Sequence, residues 1–359
     1  MKRAMNFSAG PAALPFSVLE EVQAELLDFK GTGKSLLESS HRSPEYDGVH
    51  QETQSLFKEL IGLGDDYHVA FFGGGASSQF AIAPMNLLQG GVADYIVTGS
   101  WAKKAAKEAK RYGDVNIAFD AEDGKYTRIP AWDECTFSKE AAYLHITTNN
   151  TIAGTQYHRF PEVKAPLVAD MSSDFLWAPF DPAPFGLIYA GAQKNIGPAG
   201  VTVVIIRQDL LERCKGDVPS MFDYKLQVEK ESLYNTPPAF PIYFTGKVLK
   251  WIKAHGGLEG MKKRNDQKAA LLYGMIDKHS GFFRAPVDKE SRSMMNVVFR
   301  LPSEELEKRF IAEGKEQGML HLKGHRSVGG IRASIYNAAE LSWLENLTAF
   351  MEEFARKNG

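Results

Sequence analysis

The sequence predicts an α/β fold, with a large domain built on a mostly parallel sheet flanked by helices and a smaller α+β domain at the C-terminus. Short β-branched runs alternate with amphipathic helical patterns up to residue 254, and this alternation is typical of a parallel sheet. From residue 255 onward, long helical patterns dominate. With 359 residues, 44% of them hydrophobic, the chain can bury one large core and a second, smaller one. We therefore expect a large domain over 16–254 and a small domain over 255–359, after an irregular N-terminal segment, 1–15.

The large domain is predicted to begin with helices and to continue as strands separated by loops and helices. Helical spacing covers 18–29 and part of 43–64, and strand patterns follow at YHVAFF (67–72), ADYIVTGS (93–100), AYLHITTNN (142–150), PLVADMSS (166–173) and LIYAGAQK (187–194). The small domain combines helical patterns at 258–279, 303–318 and 341–359 with strand patterns at 293–301 and 329–337.

Charge and composition narrow the class of partner. The 42 basic and 44 acidic residues leave a net charge of −2, which argues against nucleic acid or an anionic membrane surface and favours a small molecule. The two cysteines form no CxxC pair and no metal-ligand cluster with histidine, so no metal is expected. Without a signal peptide or an apolar run of ~18 residues, the protein is predicted to be soluble and cytoplasmic.

Several predicted strands end in polar or glycine-rich groups, and ligands collect at the carboxyl ends of strands in an open parallel sheet. The loop GGGASS (73–78) follows one strand and opens a helix, where free N–H groups favour a phosphate, although such loops also occur for steric reasons. Lys194 lies between two apolar strand patterns and among glycines, at the edge of the predicted core. Desolvation there would lower its pKa and free a neutral amine to form a Schiff base with a carbonyl compound.

Two further residues at this edge extend that hypothesis. Asp170 ends the strand APLVAD, and it could instead be a helix cap or a magnesium ligand. Trp101 begins a lysine-rich helix, where a packing role is the ordinary alternative. An amine, a carboxylate, a flat aromatic ring and a phosphate loop are together what pyridoxal phosphate requires, because the carboxylate keeps the pyridine nitrogen protonated.

At this point the motifs resemble a known family over nearly the whole chain. They are NFSAGPAALP, ESSHRSPEY, FFGGGASSQF, VTGSWAKKAAKEAKRYG, VADMSSDF, AGAQKNIGPAGVTVVI, YNTPPAFPIY and GHRSVGGIRASIYNA. They are similar to the class-V aminotransferases of the fold-type I pyridoxal-phosphate enzymes, and NTPP with HRSVGGIRAS resembles the phosphoserine aminotransferase family in particular. The resemblance implies that the mostly parallel sheet of the large domain has seven strands and that the N-terminal segment, 1–15, packs with the small domain. It also implies a homodimer with shared active sites.

The resemblance also implies cofactor contacts. Lys194 would carry the covalent Schiff base, Asp170 would pair with the pyridine nitrogen, and Trp101 would stack on the ring. The remaining implied cofactor contacts are Thr151 and Gln193 to the ring oxygen or the phosphate, Ala76 and Ser77 to the phosphate, and Asn235 and Thr236 to the phosphate from the other subunit. Some relatives carry a basic residue where this chain has Ser77, so hydroxyl and backbone donors are expected to do more of the binding here.

For the substrates, the resemblance implies that Arg332 binds the α-carboxylate and that His41, Arg42, His325 and Arg326 bind a substrate phosphate. Arginine offers a fixed fork to carboxylate and phosphate oxygens, although any single arginine is more often in a surface salt bridge. The expected reaction is amino transfer from glutamate to 3-phosphohydroxypyruvate by ping-pong kinetics, in serine biosynthesis. The same residues would suit 4-phosphohydroxythreonine in vitamin B6 synthesis.

Three other functions stay open at this point. Alanine–glyoxylate transamination and cysteine desulfuration are other class-V reactions, and the second needs a mobile cysteine. Neither Cys135 nor Cys214 lies in a sequence typical of a mobile loop. A non-catalytic sensor of phosphorylated ligands could use the same sheet edge.

Overall fold

The structure is a computed structural model, and it describes residues 3–359. Its strands are β1 (Met5–Asn6), β2 (Tyr67–Gly73), β3 (Val92–Val97), β4 (Asp114–Asp120), β5 (Leu144–Thr147), β6 (Leu167–Asp170), β7 (Phe185–Gly191), β8 (Val201–Arg207), β9 (Asn296–Phe299), β10 (Met319–Leu320) and β11 (Ile331–Ser334). Its α-helices are α1 (Phe16–Glu25), α2 (Pro44–Ile61), α3 (Gln79–Leu87), α4 (Ser100–Ala109), α5 (Gln208–Arg213), α6 (Tyr224–Glu229), α7 (Ala239–Ala254), α8 (Gly257–Lys278), α9 (Glu304–Glu316) and α10 (Leu341–Asn358).

The central sheet has seven strands in the order β2-β8-β7-β6-β5-β3-β4. Strand β8 is antiparallel to both of its neighbours, β2 and β7, and the other pairs are parallel. All strands except β8 therefore point the same way, and the segments that follow β2, β3, β5, β6 and β7 emerge at one edge. The predicted mostly parallel seven-stranded sheet flanked by helices is confirmed.

Two apolar cores cover the two faces of this sheet. One includes residues of α1, α2, α7 and α8, and the other includes residues of α3, α4, α5 and α6. Every residue of β7 is buried, as expected for a strand covered on both faces. The sheet is rigidly packed, so groups at the ends of its strands are held in place.

A third core forms in the C-terminal part of the chain, between β9, β11, α8, α9 and α10. Strands β9 and β11 pair in antiparallel fashion, and β1 pairs in parallel with β10. Phe7 is fully buried and packs edge-on against Trp343 of α10, with ring centroids 6.2 Å apart. The chain's N-terminal segment thus packs beside its C-terminal elements.

The first helix ends earlier than its sequence pattern suggests. Helical spacing continues to residue 29, but α1 ends at Glu25 and Leu27 is 84% exposed. The side chain of Asp28 accepts a hydrogen bond from the backbone N–H of Gly33 at 2.8 Å, and Gly33 has a positive φ of 72°. This turn offers the backbone a side-chain hydrogen bond outside the helix, and α1 ends before it. Within residues 3–359, no helix is long and apolar enough to cross a membrane.

Candidate active site

A cavity of about 480 Å³ opens at the carboxyl edge of the sheet. It brings together nine of the residues singled out in the sequence: Ala76, Ser77, Trp101, Thr151, Asp170, Gln193, Lys194, His325 and Arg332. These come from the ends of five strands that point the same way (β2, β3, β5, β6 and β7) and from the C-terminal part of the chain. Among the residues that the structure describes, no group of three or more His, Cys, Asp or Glu side chains could hold a metal ion.

The glycine loop forms one wall of the cavity. It follows β2, and Ala76–Ser78 form a short 3₁₀ turn that leads directly into α3. A Cβ built on Gly73, Gly74 or Gly75 would meet nothing within 4 Å, so the backbone there borders open space. Gly74 has φ of 97°, a left-handed conformation that glycine adopts without strain. The loop therefore leaves room for a ligand close to the backbone at the start of α3.

Lys194 follows β7 and reaches into the cavity from the loop before β8. Its Nζ lies 6.0 Å from the centroid of the Trp101 ring. Burial lowers the pKa of Lys194 below its ordinary value, the nearby carboxyls of Asp170 and Asp174 act in the opposite direction, and the charge of Arg332 adds to the lowering. The lysine is thus biased toward the neutral amine, which is the nucleophilic form.

Asp170, the last residue of β6, is 7% exposed. Its Oδ1 accepts hydrogen bonds from the Ser172 hydroxyl at 2.6 Å and from the Ser172 backbone N–H at 3.0 Å, and the same hydroxyl accepts from the backbone N–H of Gly191 at 3.1 Å. Burial raises the pKa of Asp170, while Lys194 and the Ser172 donors lower it. These hydrogen bonds fix the position of the Asp170 carboxyl group. The group is thereby held where a cationic partner in the cavity could contact it.

Thr151 connects two other groups that the sequence singled out. Its Oγ1 accepts a hydrogen bond from the Trp101 indole N–H at 3.3 Å, and its backbone carbonyl accepts one from Nη1 of Arg332 at 2.8 Å. Arg332 Nε is buried without a hydrogen-bond partner in the described chain. A buried donor without a partner is costly, so the site is suited to an anionic ligand at this arginine.

Five of the predicted residues do not line the cavity. Arg326, Asn235 and Thr236 are exposed, and the last two lie instead beside a separate cavity with Pro237 and Phe222. The other two, His41 and Arg42, lie just before α2.

The cavity also contains polar residues that the sequence argument did not assign. Asn149, Ser172 and Ser173 line it, and Asp174 lies behind it with 6% exposure. The motif MSSDF contains three of these residues, and its position directly after the strand that ends in Asp170 was the available signal. No pattern in this motif indicates which of its polar groups are buried.

Comparison with known proteins shows the family of the chain. The class-V aminotransferase family matches residues 4–347. A phosphoserine aminotransferase of Desulfatibacillum aliphaticivorans is 56% identical over 361 aligned residues, which cover 99% of each chain. The solved phosphoserine aminotransferase of Bacillus circulans subsp. alkalophilus superimposes with a TM-score of 0.98 at 52% identity, covering 100% of both chains.

A second solved structure, the PLP-bound phosphoserine aminotransferase of Trichomonas vaginalis, has a TM-score of 0.93 at 39% identity and covers 98% of this chain and 100% of its own. These matches extend over the whole fold, including the cavity edge. The chain is therefore a member of the class-V aminotransferases and, within them, of the phosphoserine aminotransferase family.

Proposed function

We propose that the chain uses pyridoxal phosphate to transfer the amino group of glutamate to 3-phosphohydroxypyruvate, giving O-phosphoserine and 2-oxoglutarate in ping-pong order. The observation that carries the proposal is Lys194, whose pKa is lowered by burial, in one cavity with Asp170 and Trp101. The phosphoserine aminotransferase names of its relatives support the substrates, and the PLP-bound relative supports the cofactor.

The residues that line the cavity fit the chemistry of the cofactor. Oε1 of Gln193 is buried without a hydrogen-bond partner in the described chain, and the backbone of Gly73–Gly75 borders open space. Ala76 and Ser77 would bind the phosphate, Thr151 and Gln193 would bind polar ring substituents, and Trp101 would cover the ring face. When bound, pyridoxal phosphate supplies an aldehyde for amine exchange and a protonated ring that accepts electrons from the substrate's α-carbon.

Lys194 would transfer protons during the reaction, and Asp170 would keep the ring nitrogen protonated. Lys194 would react as a neutral amine and hold the cofactor as a Schiff base, with loss of water, before the substrate arrives. When the substrate's amino group displaces it, the freed Lys194 amine would take the proton from the substrate's α-carbon in one half-reaction and return a proton to that carbon in the reverse half-reaction. Asp170 in its ionised form would stabilise the protonated ring nitrogen.

The basic residues at the rim would select the substrate. Arg332, whose Nε lacks a partner, would bind the α-carboxylate, and His325 and Arg326 would bind the phosphate of the ketoacid. The charges of Arg332 and Arg326 add to burial in lowering the pKa of His325, which indicates a concentration of positive charge there.

We infer that the enzyme works as a homodimer in which each cavity takes residues from both subunits. His41, Arg42, Asn235 and Thr236 do not line the cavity of their own chain. In the proposed dimer, Asn235 and Thr236 reach the cofactor phosphate of the partner's cavity, and His41 and Arg42 reach the substrate phosphate there. A cytoplasmic location stays a prediction from the sequence.

Cysteine desulfuration is disfavoured by the positions of the two cysteines. Neither lines the cavity, and burial raises the pKa of Cys214 to about 12 and that of Cys135 to about 11. A thiol with a raised pKa is a poor nucleophile at neutral pH.

The deciding experiment is a half-reaction with the purified holoenzyme. Glutamate alone should change the visible spectrum in a single turnover and release one equivalent of 2-oxoglutarate, and 3-phosphohydroxypyruvate should then restore the spectrum far better than pyruvate. Borohydride should trap the cofactor on Lys194. A colourless protein that binds phosphorylated ligands without trapping would instead favour a sensor, and equal use of both ketoacids would contradict the substrate assignment.

A further inference from the structure

A second carboxyl group lies directly behind the cavity. Asp174 follows β6 by four residues and is 6% exposed. Both of its hydrogen-bond partners in the described chain are neutral: the Thr148 hydroxyl lies 2.5 Å from Oδ1, and the Gln156 amide nitrogen lies 3.1 Å from Oδ2. A buried carboxylate without a cationic hydrogen-bond partner is costly.

The Thr148 hydroxyl has more acceptors within reach than it has protons to donate. It lies within hydrogen-bond distance of two acceptors, Oδ1 of Asp174 and the backbone carbonyl of Asp170 at 3.2 Å, but it has one proton to donate. Both contacts are satisfied if Asp174 carries a proton and donates it to Thr148, which then donates to the carbonyl. A chain of two hydrogen bonds results.

The Gln156 contact is consistent with the same protonation. Oε1 of Gln156 accepts a hydrogen bond from the backbone N–H of Met294 at 2.8 Å, which fixes the amide so that its NH₂ group faces Asp174. The oxygen Oδ2 is therefore the acceptor, as the carbonyl oxygen of a neutral acid would be. Oδ1 is left as the oxygen that carries the proton.

The surroundings of Asp174, taken together, also favour its protonated form. The titratable groups that face Asp174 are Asp170, Lys194 and Tyr336. Burial, with the Asp170 charge adding to it, raises the pKa of Asp174 to about 7 against the opposing effects of Thr148, Gln156 and Lys194. Two neighbouring carboxyls do not both ionise readily, so one of the pair is expected to keep its proton.

We propose that Asp174 is a positioning residue that acts as a neutral hydrogen-bond donor, so that Asp170 is the ionised member of the carboxyl pair. Through Thr148 and Gln156 it also holds the two ends of the segment that contains Thr151. The part of this inference that concerns Asp170 and a ring nitrogen rests on the proposed function. The protonation of Asp174 does not.

The inference has a defined pH dependence. A carboxyl whose folded pKa lies above its unfolded value of 3.8 contributes most to stability below that value, and the contribution declines as the pH rises to about 7. Above about pH 7, an ionised Asp174 would add a second negative charge near Asp170 and Lys194. Asp174→Asn removes this titration while keeping one donor and one acceptor in place.

Difference infrared spectroscopy of the full-length holoenzyme at pH 6 tests the protonation. Asp174→Asn should remove the carbonyl stretching band of a protonated carboxylic acid, and this band in the unmodified protein should disappear as the pH rises through about 7. The matched control, Asp170→Asn, should remove an ionised carboxylate band instead. Loss of a carboxylate band in Asp174→Asn would overturn the proposal. A protein without bound cofactor would contradict the proposed function, yet the assignment of the Asp174 band would still be readable.

A second measurement tests the positioning role. The Kd for pyridoxal phosphate should rise about tenfold in Asp174→Ala and stay within about threefold in Asp174→Asn, because the amide restores the donor to Thr148. Equal weakening in both variants would show that a negative charge, not a donor, is required, and would refute the proposal. If Asp174→Ala fails to fold, the spectra and affinity of Asp174→Asn decide the question.

Discussion

One chain supplies the whole centre of the candidate site, which is formed by Lys194 and Asp170. It supplies only part of the rim, by which we mean the surrounding residues proposed to bind phosphate and carboxylate groups. At the centre, Lys194 and Asp170 stand at the ends of neighbouring strands with both sheet faces packed behind them. At the rim, Arg42 and Asn235 are exposed and lie away from the cavity. This difference indicates that the core of one subunit positions the groups that carry out the chemistry. Surface segments, including those of a second subunit, would select the substrate.

The largest effect should come from the centre. Lys194→Ala should lower kcat by at least about 10²–10⁴-fold, since the variant lacks the group that transfers the proton. Single-turnover kinetics with glutamate would measure this. Lys103→Ala is a suitable control, because Lys103 forms a surface ion pair with Glu122 at 2.6 Å and should be nearly neutral. Comparable activity in the two variants would remove the basis for the proposed mechanism.

Substitutions at the rim should act on one substrate more than on the other. Arg326→Ala and Arg42→Ala should each lower kcat/KM for 3-phosphohydroxypyruvate by about 10–150-fold, the equivalent of ~1.5–3 kcal/mol for a lost hydrogen bond to a charged group. Pyruvate, which lacks the phosphate, should be affected much less. Equal losses with both ketoacids would mean that these arginines support the fold or the dimer and do not bind phosphate.

Mixing two inactive variants tests directly whether the centre and the rim of one cavity come from different subunits. In a dimer of one Lys194→Ala subunit and one Arg42→Ala subunit, one cavity would combine the intact lysine with the intact arginine. Random subunit exchange should therefore restore about a quarter of full activity, because half of the dimers carry one such cavity. A mixture that stays inactive after verified exchange would place Arg42 and Lys194 in the same subunit's site.

The sequence predicted the centre more completely than the rim, for a physical reason. Buried apolar runs that alternate with helices predict a mostly parallel sheet, whose strand ends share one edge, and the structure places the ends of β6 and β7 side by side there. Side chains in surface loops have no such periodic pattern, so the positions of Arg42 and Asn235 were implied by family resemblance alone. The same limit applies to Asp174, because no pattern in MSSDF distinguishes a buried neutral acid from a solvated carboxylate.

The smallest effect should come from the residue that joins the two regions. Thr151→Val removes the acceptor for the Trp101 indole but keeps the backbone carbonyl that binds Arg332. A lost hydrogen bond of this kind costs about 0.5–1.5 kcal/mol, so the Kd for pyridoxal phosphate should rise about 2–10-fold, while KM for glutamate should change little. Thr151→Ser keeps the hydroxyl and is the matched control. If KM for glutamate rises in parallel with the cofactor Kd, the Thr151 side chain also positions Arg332. The segment that carries Thr151 would then couple the centre and the rim within one subunit.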